Sequence, residues 1–274
     1  MIELDAMLEP FLAENAIDTT AFLGTWPWRL QASAGPSDLG ALADRLGLAG
    51  MCVSHIAAIF GFDTRSGNEA LWEVAASDER LWPFAVLNPL APRVEKDLAW
   101  AVSNGARGVR LTPGYHGYQV SGPACADLIT GVGQGGLPAH VCVRLDDERL
   151  RHPRFSAEDV PVHELAELIR AHPGQPLVLS GLRSSEWDEV RAHLNTAADL
   201  SHVVVDLWYV NGPAQVVHRI CAENQADHYA YGSAAPIQTA TATALQLATA
   251  DISPADRAQL CRGNAERILG LSRP

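Results

Sequence analysis

Three reactive side chains stand two residues apart in one short apolar run, Ala139-His140-Val141-Cys142-Val143-Arg144. On an extended strand such residues share a face, so His140, Cys142 and Arg144 point the same way. A thiol beside an imidazole is a nucleophile–base arrangement. Residues two apart on a strand are roughly 6.5–7 Å from each other at Cα, so a direct bond needs favourable rotamers. The plain alternative is a small core cysteine beside a packed histidine. A charge-dense stretch follows, Arg144-Leu145-Asp146-Asp147-Glu148-Arg149-Leu150-Arg151-His152. Arg144 and Arg149 could each grip a substrate carboxylate through paired hydrogen bonds, and Asp147 with His152 could form an acid–base pair. A solvated, salt-bridged loop is the competing reading.

A second group lies in Thr112-Pro113-Gly114-Tyr115-His116-Gly117-Tyr118. His116 in this Gly/Pro loop is a general acid/base candidate with Tyr115 as a binding partner, or else a histidine anchoring the loop. Arg110 is a further anion-binding candidate. His55, in Val53-Ser54-His55, and Asp206 with Trp208, in Val205-Asp206-Leu207-Trp208, end apolar runs. Trp26, Trp28 and Trp208 suit the walls of a site for a planar ligand, or the core. Ser54, Ser180 and Ser233 lack a Gly-x-Ser-x-Gly elbow, which argues against a serine hydrolase. A metal site built from His55, His116, His140, Asp147 or His152 lacks the regular spacing such a site shows in sequence.

These residues are positioned by a repeating pattern. Short apolar runs at 17–23, 50–57, 81–87, 108–111, 138–143, 177–179, 203–207 and 229–232 predict strands. Amphipathic segments at 39–45, 69–76, 94–103, 124–131, 162–171, 186–194, 215–223 and 241–248 predict helices, most with a Ser, Asn, Asp or Pro start signal. A stretch at 254–271 predicts closing helices, and one is expected before the first strand. Eight βα units without a linker point to a single-domain (β/α)8 TIM barrel over residues 1–274, with active-site residues at the C-terminal strand ends. A doubly wound open sheet is the alternative, but Gly24-Thr25-Trp26-Pro27-Trp28 is not a phosphate-binding loop.

The 274 residues are 47% hydrophobic and 19% charged, values of a globular chain. At this size roughly three quarters of the unfolded chain's surface can be buried. The net charge of −12 disfavours nucleic acid and anionic membranes as partners. No run of about 18 apolar residues spans a bilayer, and Met1-Ile2-Glu3-Leu4-Asp5 lacks a signal peptide's basic start. A cytoplasmic location is therefore expected. Five scattered cysteines, with no C-x-x-C pair, fit reduced thiols. Of the 20 basic residues only Lys96 is lysine, and its helical surroundings place it on the surface. Schiff-base, pyridoxal phosphate and carboxylated-lysine chemistry all need a lysine in the pocket. The arginine bias suggests a GC-rich bacterial genome.

Five segments in register resemble the amidohydrolase-related branch of the amidohydrolase superfamily, often described as predicted metal-dependent hydrolases of TIM-barrel fold. They are Ile17-Asp18 with Gly24-Thr25-Trp26-Pro27, Ala85-Val86-Leu87-Asn88-Pro89, Gly108-Val109-Arg110-Leu111-Thr112-Pro113, Tyr231-Gly232-Ser233-Ala234-Ala235-Pro236 and Gly263-Asn264-Ala265-Glu266-Arg267-Ile268-Leu269-Gly270. The resemblance implies hydrolase or non-oxidative decarboxylase chemistry on small carboxylic acids. It also implies metal ligands: a His-x-His pair on strand one, histidines on strands five and six, and an aspartate after strand eight. Here those positions hold Thr20 and Phe22, Cys142, Gly181 and Ala234. The implied alignment turns His140, Cys142 and Arg144 inward. A catalytic zinc normally needs three protein ligands, so no metal and no other cofactor is expected.

The leading expectation is a metal-independent hydrolase or lyase acting on a small carboxylated or aromatic molecule. Catalysis would fall to His116, Asp147, His152, Cys142 and His140, and binding to Arg144, Arg149, Arg110, Tyr115, Trp26, Trp208 and His55. An inactive barrel that binds a ligand or partner subunit, and a metal hydrolase with relocated ligands, are the other two readings. A homo-oligomer is left open.

Overall fold

The computed structural model describes residues 4–61, 63–147, 149, 151, 157–194, 199–210 and 215–271. Eight parallel strands alternate with helices: β1 Ile17–Thr25, β2 Gly50–His55, β3 Leu81–Val86, β4 Gly108–Leu111, β5 Ala139–Cys142, β6 Leu177–Ser180, β7 Val203–Asp206 and β8 Tyr229–Ala230. Each pairs with the next in sequence order, and a two-residue strand, Ser33–Ala34, returns antiparallel along β1. The sheet curls, and backbone hydrogen bonds join β1 to the segment that follows β8. The amide of Thr19 donates to Tyr231 at 3.0 Å, that of Ala234 to Thr20 at 2.8 Å and that of Phe22 to Ala235 at 2.8 Å.

Both faces of the strands are covered, so their residues are nearly all buried; the outward side chains are apolar, and the inward ones include a polar group. Val109, Leu111, Val141, Leu179 and Val205 point outward into the large core shared with the helices, while Val178, Val204 and Ala230 form a separate interior cluster. The helices Pro36–Leu46, Thr64–Ala75, Val94–Ser103, Pro123–Gln134, Val162–Ala171, Ser184–His193, Val216–Ala222 and Ala240–Thr249 fall where the apolar periodicity predicts them. Local signals set their ends. Asp63 caps Thr64–Ala75 by accepting the Ser66 amide at 2.7 Å, and Gly47 closes Pro36–Leu46 in the left-handed conformation. Helix Leu4–Leu12 buries Leu8 and Phe11, the latter edge-on to Tyr231 at 4.9 Å. Two short helices after β2 and β4, Ala57–Phe60 and Pro113–His116, were not legible as helices, being only one turn long.

Glycine is required at the first residues of β2 and β4 for lack of space. A Cβ on Gly50 would lie 2.2 Å from the Trp82 ring, and one on Gly108 2.2 Å from Phe84. No helix among the described residues is long and apolar enough to cross a membrane.

Candidate active site

Where the sheet curls inward, it gathers a polar group from four strands. The β1 register shifts between Asp18 and Ala21, and the Asp18 carboxylate accepts the Thr20 amide at 3.0 Å and the Ser233 amide at 2.9 Å. The Thr20 hydroxyl donates to Asp206 Oδ2 at 2.5 Å and lies 2.8 Å from His140 Nε2. With that hydroxyl proton committed to Asp206, His140 Nε2–H is the donor to Thr20. The other ring nitrogen, Nδ1, then accepts from the Cys142 thiol at 3.7 Å. Asp206 also accepts the Gly181 amide at 3.1 Å.

The expected pairing of His140 with Cys142 is thus present, but it is sealed. His140 is 0% and Cys142 2% exposed. Burial, then the charge of Arg110, holds the His140 imidazole neutral, far below its ordinary range. Burial pushes the Cys142 thiol up to about 12, so at neutral pH it is a thiol and not a nucleophile. Burial also raises Asp18 and Asp206, each to about 6.

Arg110 is corrected from a substrate ligand to an interior residue. It is 0% exposed, and its guanidinium donates to the carbonyls of Ala21 at 2.8 Å, Cys52 at 2.9 Å and Thr19 at 3.4 Å. It stacks on Phe22, 4.5 Å from the ring centre.

Above this group the aromatic residues form a plug instead of open walls. Trp26 is fully buried, with Trp28, Phe60 and Tyr115 edge-on around it at 4.8, 5.2 and 6.1 Å. Cys142, Leu145 and Ile237 complete the cluster. Trp208 is buried too, its indole N–H donating to the Ser180 hydroxyl at 3.0 Å.

The loop after β5 is a salt-bridged clamp. Arg144 is 5% exposed and donates to Glu186 through both terminal nitrogens, at 2.6 and 2.8 Å, and through Nε to Asp159 at 2.7 Å. Its grip is bidentate as expected, but the carboxylate belongs to the chain, so Arg144 is corrected from substrate binding to fastening the loop. Arg151 ties Asp146 and Asp159 into the same network. Asp147 bonds exposed Arg149 at 2.9 and 2.6 Å. That bond holds the carboxyl below its usual range, which makes Asp147 a poor proton donor. Its expected partner His152 lies outside the described residues.

An accessible cavity of about 910 Å³ lies alongside, between the loops that follow β2, β3 and β4. His116, Tyr115, Phe60, Asn88, Arg65 and Arg93 line it. His116 ends the helix Pro113–His116, half-buried, its Nδ1 3.3 Å from the Thr112 hydroxyl. Burial lowers its affinity for a proton, against hydrogen bonds from the ring to the backbone of Ile59 and Ala58. Tyr115 donates to Asp146 at 3.3 Å. Arg65 is held by Glu69 and Asp97, whereas Arg93 is exposed at the start of Val94–Ser103 with Asp63 within electrostatic reach. His55 is not among the residues that line the cavity, and its Nδ1 accepts the Ala57 amide at 3.1 Å. The loops after β2 and β3 were missed in the sequence because Asn88, Arg65 and Arg93 are isolated there.

This architecture, parallel strands with the cleft at their C-terminal ends, is one that enzymes use widely. The sequence model of the family described as amidohydrolase matches residues 30–271, and the chain belongs to that family. No curated protein matches it in sequence. Among solved structures it is similar to 2,6-dihydroxybenzoate decarboxylase from Rhizobium, with TM-score 0.67, 17% identity, and 93% of this chain and 98% of that one covered. It is similar to 5-carboxyvanillate decarboxylase from Sphingomonas paucimobilis, with TM-score 0.70, 13% identity, and 94% and 99% covered. A dihydroxybenzoic acid decarboxylase from Polaromonas, solved with manganese and the inhibitor 2-nitroresorcinol, gives TM-score 0.70, 17% identity, and 94% and 98% covered.

The described residues of the interior do not match the donor set of a divalent-ion site. Among the described residues no three His, Cys, Asp or Glu side chains are grouped to hold one. Thr20 bonds both His140 and Asp206, and a guanidinium already stands within electrostatic reach of Asp18, Asp206 and Cys142.

Proposed function

We propose that this chain is an amidohydrolase-family enzyme that binds a small planar carboxylate in the cleft between the loops after β2, β3 and β4. It breaks that molecule without a resident metal, by loss of CO2 or by hydrolysis. The observation that carries this reading is the cleft itself: about 910 Å³ at the C-terminal strand ends, with a histidine in its wall. The hydrogen bonds between β1 and the segment after β8 support a closed (β/α)8 barrel, in which catalytic residues sit at that end. Cavities of this size suit small metabolites.

Arg93 would meet the carboxylate and Phe60 with Tyr115 the ring. His116 would move the proton. Burial leaves its imidazole neutral, ready to take a proton from an attacking water in hydrolysis. A bound carboxylate favours the imidazolium, which can deliver its proton to the ring carbon as the C–C bond breaks and CO2 leaves. The sealed interior favours a second reading, a ligand-binding barrel without turnover.

A panel of hydroxybenzoates, with 2,6-dihydroxybenzoate first, tests both by calorimetry and by product analysis in chelator-treated buffer. Saturable binding that Arg93→Ala weakens about tenfold is expected. Product formation selects the enzyme, and binding without product selects the second reading. No binding by any aryl carboxylate would overturn the cleft assignment.

A further inference from the structure

A fully buried guanidinium needs a reason, because its desolvation is costly unless charge and hydrogen bonds compensate it. Arg110 has three carbonyl partners on β1 and β2, yet its Nε has no hydrogen-bond partner. Asp18 Oδ2, equally buried, also has none. The charged and titratable groups facing Arg110 come from four strands: Asp18 on β1, Cys52 on β2, Cys142 with His140 on β5, and Asp206 on β7. The apolar floor of Val178, Val204 and Ala230 and the plug around Trp26 keep water from screening them.

We propose that Arg110 is the built-in cation of this fold, holding in the sheet interior the positive charge that a metal ion would otherwise supply, with Asp206 as its counter-ion. A guanidinium suits this place better than an ammonium. It is planar, permanently charged and weakly hydrated, so it bridges carbonyls of two strands while its face lies over Phe22 and Phe84, at 4.5 and 5.7 Å. The inference rests on the metal-independent reading above but concerns stability, so its test needs no turnover and fails separately from the cleft assignment.

The experiment is a thermal-unfolding cycle with metal arms. Arg110→Met keeps the bulk and removes the charge, and should lower Tm by roughly 10 °C. In an Asp206→Asn background, where the counter-ion is neutral, the same substitution should cost at most half as much. If Arg110→Met alone is insoluble, recovery of a folded chain on adding Asp206→Asn supports the proposal, and failure to recover it overturns it. Equal losses in both backgrounds also overturn it. For the unmodified protein, EDTA and excess Mn2+ or Zn2+ should leave Tm within about 1 °C, with less than about a tenth of an equivalent of metal retained after dialysis. One retained equivalent with a raised Tm would overturn the assignment of Arg110 as the cation.

Discussion

His140, on β5, and His116, after β4, belong to neighbouring βα units, yet they live in opposite surroundings. His140 hangs inside the curled sheet, 0% exposed, with both ring nitrogens bonded to neighbours. His116 sits half-buried on a loop at the rim, in the wall of an open cleft. The sequence around His140 looks the more reactive, because a thiol and an arginine share its strand face. The difference lies in water. Excluding it makes the Cys142 thiol and the His140 imidazole neutral and holds them in fixed hydrogen bonds. The rim keeps access to solvent and ligand, so a lone histidine there can do what a cluster inside cannot.

The sharpest way to break this comparison is to exchange each histidine for glutamine. His116→Gln should lower kcat by about 10²–10⁴-fold with little change in Tm. His140→Gln should lower Tm and leave the kcat of the folded fraction within about threefold. A large kcat loss from His140→Gln at unchanged Tm would move the chemistry back inside the sheet.

Next in size is the clamp that frames the rim. Arg144→Ala removes the bidentate partner of Glu186, which keeps Arg183, and one of the two arginine partners of Asp159, which keeps Arg151, and should cost about 2–3 kcal/mol of unfolding free energy. Denaturant titration should show that loss, with ligand affinity unchanged if Arg144 only fastens the loop.

A smaller effect sharpens the electrostatics of the interior. Asp18 rises from 3.8 unfolded to about 6 folded, chiefly through burial. The folded state therefore binds its proton more tightly, and the stability from this group is greatest below about pH 4. It is lost as pH rises through about 6, by roughly 3 kcal/mol. Asp18→Asn should flatten that fall between pH 4 and 7.5 in urea titrations compared with the unmodified chain. Identical slopes would mean that Asp18 is ionised in the fold at all these pH values.

Much of the fold was legible because its signals are local. β4, Val94–Ser103 and Val162–Ala171 begin and end where periodicity places them, and other boundaries differ by a few residues. Apolar alternation, caps and breakers act over a few positions, so a single chain displays them. The one-turn helices and the Ser33–Ala34 return strand were not legible, since their stability comes from what they pack against. His116 and Tyr115, expected from the loop chemistry around them, line the cavity. Asn88, Arg65 and Arg93 line it too but were not expected there, because only the curling of the sheet brings the loops after β2, β3 and β4 together.

By itself, then, the sequence determined the βα rhythm, the face shared by His140 and Cys142, and the absence of histidines at Thr20 and Phe22. Tertiary structure alone decided which reactive side chains keep water. It turned Arg110 inward and spent Arg144 on Glu186, two choices invisible in composition or spacing. The physical reason is that desolvation and charge pairing depend on neighbours remote in sequence: Asp206 lies 186 residues from the Thr20 hydroxyl that it accepts.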